Sequence, residues 1–266
     1  MPHRNLTLYH AASSYYSMVA RYALALSGID YHSHLLDIHK KREQFESWYL
    51  ALNPAMTVPT LAVGEQLYTS SSAIVQFAMA SQPGVWVESN TTTAMRDEIN
   101  VLVDQHERFA VERLTLNELI KKLPPLRWLF PKLLRKVCDE LTQEIEQGGA
   151  NVAALQAKLT LNQSRLAYFT GESLVVRQAR EVALAQMFVS QFGQAPKGQW
   201  LFGEQPSHAD VVFIVFLARL RMVGLLERAQ VPVTFVDWLE QKTQTSAFLK
   251  ADVWVKLSAW RLLTSH

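Results

Sequence analysis

The stretch Asn53–Ile74 reads NPAMTVPTLAVGEQLYTSSSAI. It predicts two short strands, Thr60–Val63 and Gln66–Thr69, joined by Gly64-Glu65. A glycine in the first loop position suits a two-residue type II′ hairpin. A helix over Ser71–Ala80 follows, with Ala73, Ile74, Phe77 and Ala78 on its apolar side. Working backward, Gln44–Leu52 predicts a short helix and Tyr31–Leu36 a strand. Ser13–Ser27 predicts a helix that stops at Gly28, and Leu6–Tyr9 a first strand. The order β-α-β-α-β-β-α combines a right-handed parallel crossover with a hairpin, which is the thioredoxin-like order.

The texture then changes. Residues 81–90 (SQPGVWVESN) predict a linker. Beyond Thr91 only helices are expected: Arg96–Lys122, Pro131–Gln147, Ala150–Tyr168, Glu172–Phe192, Ala209–Arg228 and Thr234–Gln241. The fold class is thus an α/β thioredoxin-like domain over residues 1–82, followed by an all-α helical-bundle domain over residues 91–266.

Composition narrows the function. The 266 residues are 49% hydrophobic and 19% charged, enough to bury a core. A net charge of +2 argues against nucleic acid. The one cysteine, Cys138, excludes a disulfide framework and a Cys-x-x-Cys pair. It fits a reducing compartment. The first ten residues have no apolar signal core, and the longest apolar run, Val211–Ala218, is too short to span a bilayer. A cytoplasmic location is expected. His32 and His34 share a strand face, and His10 and His39 lie nearby in sequence, but no acid or cysteine is in register. No metal is expected.

Three places carry chemistry. Ser14 sits where the first strand meets the first helix. A serine there caps a helix. Alternatively, it and the positive helix end lower the pKa of a bound thiol from about 8.5 by ~2 pH units, roughly 2.7 kcal/mol. Pro59 stands at the mouth of a strand, where a proline cannot join the ladder. Either it is an ordinary edge proline, or Val58-Pro59 is cis and frees the Val58 backbone to pair with an extended peptide. The serines Ser70, Ser71 and Ser72 either cap the third helix or hold a carboxylate there.

The order and spacing of these places resemble the glutathione transferase superfamily, over most of the chain. Ser14 stands seven positions before Arg21, with Ser17 between. The family's NPxGxVPxL motif reads NPAMTVPTL, and its ES-x-AI motif reads Ser70-Ser71-Ser72-Ala73-Ile74. Downstream, Trp200-Leu201-Phe202-Gly203 precedes Ser207-His208-Ala209-Asp210, a capping-box variant that starts a long apolar helix. The resemblance implies that glutathione is the co-substrate, with Ser14 as the catalytic group hydrogen-bonding its sulfur. Val58, held by cis-Pro59, would pair with the cysteinyl backbone, and Ser71 with Ser70 would bind the γ-glutamyl carboxylate. A small hydrophobic electrophile would sit near Tyr15, Tyr16 and the His106–Arg113 region. A homodimer is implied too.

Three residues depart from the family pattern. Met56 replaces the usual glycine, Thr57 the lysine or glutamine that often follows it, and Ser70 the acid that helps grip the glutamyl amine. The chain also exceeds the usual family length, by an excess over about 120–172. Within it, Ile120–Val137 mixes Lys121, Lys122, Arg127, Lys132, Arg135 and Lys136 with Leu126, Trp128, Leu129 and Phe130. That segment is either a solvated basic face or a surface for a membrane or acidic partner. The enzyme reading therefore competes with a non-catalytic adaptor. A glutathione-dependent dehalogenase, peroxidase or isomerase would use the same site.

Overall fold

The computed structural model describes residues 6–148 and 151–257. Its first part is built on a four-stranded mixed sheet in the order β2-β1-β3-β4. The strands are β1 Leu6–His10, β2 His32–Leu35, β3 Thr60–Val63 and β4 Gln66–Tyr68. The β1–β2 pair is parallel and the other two pairs are antiparallel. Helix α1 (Tyr15–Leu26) makes the crossover between the parallel strands. Gly64 has φ +62°, the positive value a hairpin of this kind demands at its first position. Helix α2 (Ser47–Leu52) precedes β3, and α3 (Ser71–Ser81) follows β4. The thioredoxin-like order is present, although β2 is two residues shorter than expected.

The rest is helical: α4 Thr93–Arg108, α5 Val111–Lys122, α6 Leu126–Glu146, α7 Val152–Gly171, α8 Leu174–Ser190, α9 His208–Val223, α10 Val233–Thr243 and α11 Ser246–Lys250. Four of these correct the sequence reading. The single helix expected over Arg96–Lys122 is two, broken at Phe109 and Ala110, whose ψ angles of 118° and 72° are not helical. The break sinks the Phe109 ring between Phe188 and Phe216. Helix α6 starts at Leu126, five residues before the expected Pro131, and carries that proline internally. A proline reads as a helix start because it gives up a backbone donor, yet α6 tolerates the loss. Helix α11 was not expected. It is a single short turn capped by Thr245.

Helix α9 is the axis of the core. Every residue from His208 to Val223 except Arg221 is buried. The Ser207–Asp210 capping box starts it: the Ser207 hydroxyl accepts from Asp210 N, and the Asp210 carboxylate accepts from Ser207 N at 2.8 Å. The same carboxylate accepts from Leu201 N at 2.7 Å, so it also pins the preceding Trp200–Gly203 turn. Helix α1 packs on α9 and α11, which joins the two parts of the chain in one apolar core. Among the described residues, no helix is long and apolar enough to cross a membrane.

Candidate active site

Strand direction gathers the three sequence motifs at one end of the sheet. β1 ends there and turns through Ser14 into α1. β3 runs antiparallel to β1, so it begins there, just after Val58-Pro59. β4 runs antiparallel to β3, so it finishes there, at the Ser70 turn. β2, parallel to β1, delivers Ile38 and His39 to the same end.

Ser14 is the N-cap of α1, and its hydroxyl accepts from Ser17 N at 3.3 Å. It is half-buried and lines a cavity. Arg21, two turns along α1, lies beneath this turn and clamps it. Its guanidinium donates to the carbonyls of Ala11 and Ala12, and to those of Ala251 at 2.7 Å and Asp252 at 3.0 Å. The family arginine is therefore a structural clamp that fixes where Ser14 stands.

The Val58-Pro59 bond is cis. Among the described residues, neither backbone group of Val58 makes a backbone hydrogen bond, so both are open to an extended chain. The loop is held by Asn53, which the sequence reading did not single out. Its amide donates to Thr57 O at 2.9 Å, Thr60 Oγ1 at 3.0 Å and Thr69 O at 3.2 Å. Its own carbonyl oxygen accepts from Ala55 N. Asn53 thus ties the proline loop to the turn before α3. In that turn the Ser70 hydroxyl is occupied as the cap, accepting from Ala73 N at 3.1 Å. Ser71 is the first helical residue, where a backbone N–H has no partner within the helix.

Beside Ser14 lies a cavity of about 270 Å³. Ser13, Tyr15, Tyr16, Ile38 and His39 line it from the first part of the chain. From the helical part come Glu112, Thr115, Leu116, Leu119, Arg219, Met222, Trp254 and Leu257. Sharing Ile38, His39, Glu112, Leu116 and Leu119 with it is a larger chamber of about 560 Å³ beneath α6 and α7. At the junction Arg165 grips Glu112 with two hydrogen bonds, of 2.8 and 2.7 Å.

The aromatic candidates separate. Tyr16 is half-buried in the cavity wall. Burial, reinforced by Glu112 and opposed by Arg165, pushes its hydroxyl up to about 12, so it stays protonated. Tyr15 lines the cavity with its ring, but its hydroxyl is turned into the protein, 2.7 Å from His106 Nε2 and 3.3 Å from Val212 O. Burial holds that hydroxyl well above its ordinary range. His106 is 2% exposed and outside the cavity lining. Burial, with His208 next, pulls its pKa down to about 3, so it is a neutral partner of Tyr15.

Met56 is the largest surprise in the motif. It keeps the left-handed backbone of the glycine it replaces, with φ +52°. Its side chain is 1% exposed, packed in a cluster with Leu50, Val137, Cys138, Leu141, Leu155 and Leu159. Those last five belong to α6 and α7. Lys158 of α7 completes the joint, donating to Met56 O at 2.8 Å and Ala55 O at 3.2 Å. Arg42 adds a two-pronged pair with Glu140. The extra length of the chain is therefore a helical hairpin seated on the proline loop. The basic stretch divides within it: Phe130 and Leu134 turn inward, while Trp128 stays 73% exposed beside Arg127 and Lys132. Among the described residues, no group of histidine, cysteine or acid side chains converges as a metal site.

A helix-capping serine, a cis-proline loop and a second helix N-terminus at one end of a four-stranded mixed sheet define a domain of the thioredoxin-like class. A family model for the glutathione S-transferase N-terminal domain matches residues 8–86, and one for the C-terminal domain matches residues 132–260. The chain belongs to the glutathione S-transferase superfamily. A tetrachloro-p-hydroquinone reductive dehalogenase of Sphingobium chlorophenolicum is 40% identical over 70 residues, 26% of this chain and 28% of that one. A trimeric glutathione transferase of Leishmania superposes with a TM-score of 0.59 at 17% identity, over 98% of this chain and 47% of that chain. A maleylacetoacetate isomerase of Anaeromyxobacter dehalogenans, with glutathione bound in its active site, superposes with a TM-score of 0.57 at 19% identity. That match covers 93% of this chain and 94% of the isomerase. This chain thus spans less than half of the Leishmania protein and a little over a quarter of the dehalogenase.

Proposed function

We propose that this protein is an enzyme that binds glutathione, favours its thiolate at Ser14, and directs the sulfur onto a small electrophile in the adjoining cavity. The observation that carries the reading is the convergence at one sheet end of Ser14, the unpaired Val58 backbone and Ser71. That spacing gives one tripeptide a partner for its sulfur, its cysteinyl amide and its γ-glutamyl carboxylate. The Ser14 hydroxyl would donate to sulfur, and the α1 N-terminus would favour the negative charge. Val58 N–H and C=O would pair with the cysteinyl backbone. Ser71, with the first turn of α3, would take the carboxylate, and the already engaged Ser70 hydroxyl would contribute through its cap. Tyr16, kept protonated, is placed to donate to charge developing on the electrophile. The thiolate attacks an electrophilic carbon, a carbon–sulfur bond forms, and the leaving group departs with its electron pair.

The test is retention on immobilised glutathione with elution by free glutathione, followed by turnover of a chloronitrobenzene. No retention would leave the adaptor reading, with the exposed Trp128 face of α6 as its contact. A dehalogenating second reaction is favoured by the 40% identity to the hydroquinone dehalogenase over 70 residues. Cys138, the chain's one cysteine, lies on α6 in the cluster that seats the hairpin on the proline loop, so any disulfide exchange would need a second thiol from solution. A cytoplasmic location and a homodimer remain part of the same reading, through its kinship with soluble transferases.

A further inference from the structure

We propose that the cavity beside Ser14 takes an organic anion whose acidic group is held by Arg219. This deepens the reading above by naming the class of the second substrate, and it rests on that reading for the reaction but not for the binding.

Arg219 sits in α9, where every residue but Arg221 is buried, and is itself 6% exposed. Its hydrogen bonds come from Nη2 alone, to Ser13 O at 3.2 Å and to the Met18 sulfur at 3.9 Å. Nε has no partner. Among the described residues, no carboxylate lies within ion-pair distance of it. The other buried arginines are treated differently. Arg21 serves four backbone carbonyls, and Arg177 donates to Asn117 Oδ1, Phe169 O and Glu172 O. A buried charge without such partners is costly, a cost that an acidic group entering the cavity would offset.

The surroundings agree. Burial pulls the Arg219 pKa down to about 10, which leaves it charged at neutral pH. Its guanidinium lies 5.5 Å from the Tyr15 ring centre, a contact that orients it without neutralising it. The one carboxylate in the cavity wall, Glu112, is already taken by Arg165. The remaining wall is largely apolar, through Leu116, Leu119, Met222, Trp254 and Leu257. A cation without a carboxylate partner in a largely apolar slot fits a flat, mostly hydrophobic molecule with one acidic group, such as an aryl carboxylate.

The experiment compares 4-chloro-3-nitrobenzoate with its neutral isostere 4-chloro-3-nitrobenzamide, on the full chain without glutathione, by calorimetry. The expected result is that the benzoate binds about tenfold tighter, the scale of a charge-assisted hydrogen bond in a dry site. In Arg219→Met the preference should shrink to within twofold while the benzamide is unaffected, and Arg219→Lys should restore part of it. Equal binding of the two probes to the unaltered protein overturns the proposal, and that comparison holds even if a variant does not fold. Equal binding together with a raised pKa of bound glutathione thiol in Arg219→Met would also overturn it, assigning the cation to sulfur. Glutathione retention is scored separately. A benzoate preference without retention supports the anion site and removes the transferase reading, whereas retention without a preference does the reverse.

Discussion

The loop Asn53–Pro59 departs from the family motif at Met56 and Thr57 and the turn Thr69–Ser72 at Ser70, and Met56 and Ser70 have opposite fates. Met56 is buried and structural: it keeps a left-handed backbone and spends its side chain anchoring α6 and α7. Ser70 is exposed and local: it keeps the cap and surrenders a charge. The difference teaches that a lost glycine need not mean a damaged loop. Here the helical hairpin supplies the contacts that make a bulky residue tolerable at φ +52°. Among the described residues nothing comparable is built around Ser70, and in the proposed reading its cost falls on ligand contact instead.

The largest expected effect lies outside both loops, at the group they serve. Ser14→Ala should lower kcat for conjugation by about a hundredfold, the range for losing one donor to a developing or held anion. Loss of the cap should cost about 1 kcal/mol in urea denaturation, so folded protein remains to be assayed. Turnover within threefold of the unaltered enzyme would break the assignment.

Next in size is an acid effect on stability. Burial first, aided at His10 by Arg21 and His34 and at His106 by His208, holds these two histidines at about 3, and burial alone holds His208 at about 4. Their ordinary value is about 6.5. Between those limits the unfolded chain binds more protons than the folded one, so stability falls as pH drops below about 6.5. Each group contributes up to about 1.4 kcal/mol per pH unit. Asp210 opposes this between its ordinary value and the raised value of about 6 that burial gives it, because the folded state then holds the proton more tightly. Glu88, whose carboxyl burial also pushes up, acts in the same sense as Asp210, and three histidines against two carboxylates leave a net loss. Thermal unfolding across pH 7 to 4.5 checks it, and a flat profile above pH 5 would contradict it.

Met56→Gly sharpens the comparison directly. Removing a buried methionine costs about 2–5 kcal/mol, and relief of the left-handed backbone returns about 1–2, for a net loss of about 2 kcal/mol. Limited proteolysis should then cut between α6 and α7 sooner than elsewhere. The smallest effect is expected from Ser70→Asp, which keeps an N-cap and restores a charge. It should lower KM for glutathione about threefold with little change in melting temperature, the scale of one exposed ion pair.

What could be read from the sequence was local. Asn53–Leu61, Ser70–Ile74 and Ser207–Asp210 each carry their meaning within a few residues, because turns and caps are decided by neighbours. The cis bond and the capping box are of this kind. What escaped depended on distance. Met56 meets Leu155 and Lys158 about a hundred positions away, and Arg219 reaches Ser13 across the whole molecule. Phe109 ended a helix for the sake of Phe188 and Phe216, which no local propensity records. Arg219 left one trace, a cation directly after the apolar run Val211–Ala218, and Asn53 left another, an amide at the head of the proline motif.

The account's central claim is that Ser14 and the α1 N-terminus favour a bound thiolate. Thiolate absorbance near 240 nm, followed against pH with glutathione saturating the protein, reads this directly. The expected result is a bound thiol titrating ~2 pH units below the free value, returning most of the way in Ser14→Ala. Bound glutathione whose thiol titrates like the free tripeptide, in the unaltered protein as in the variant, would contradict it.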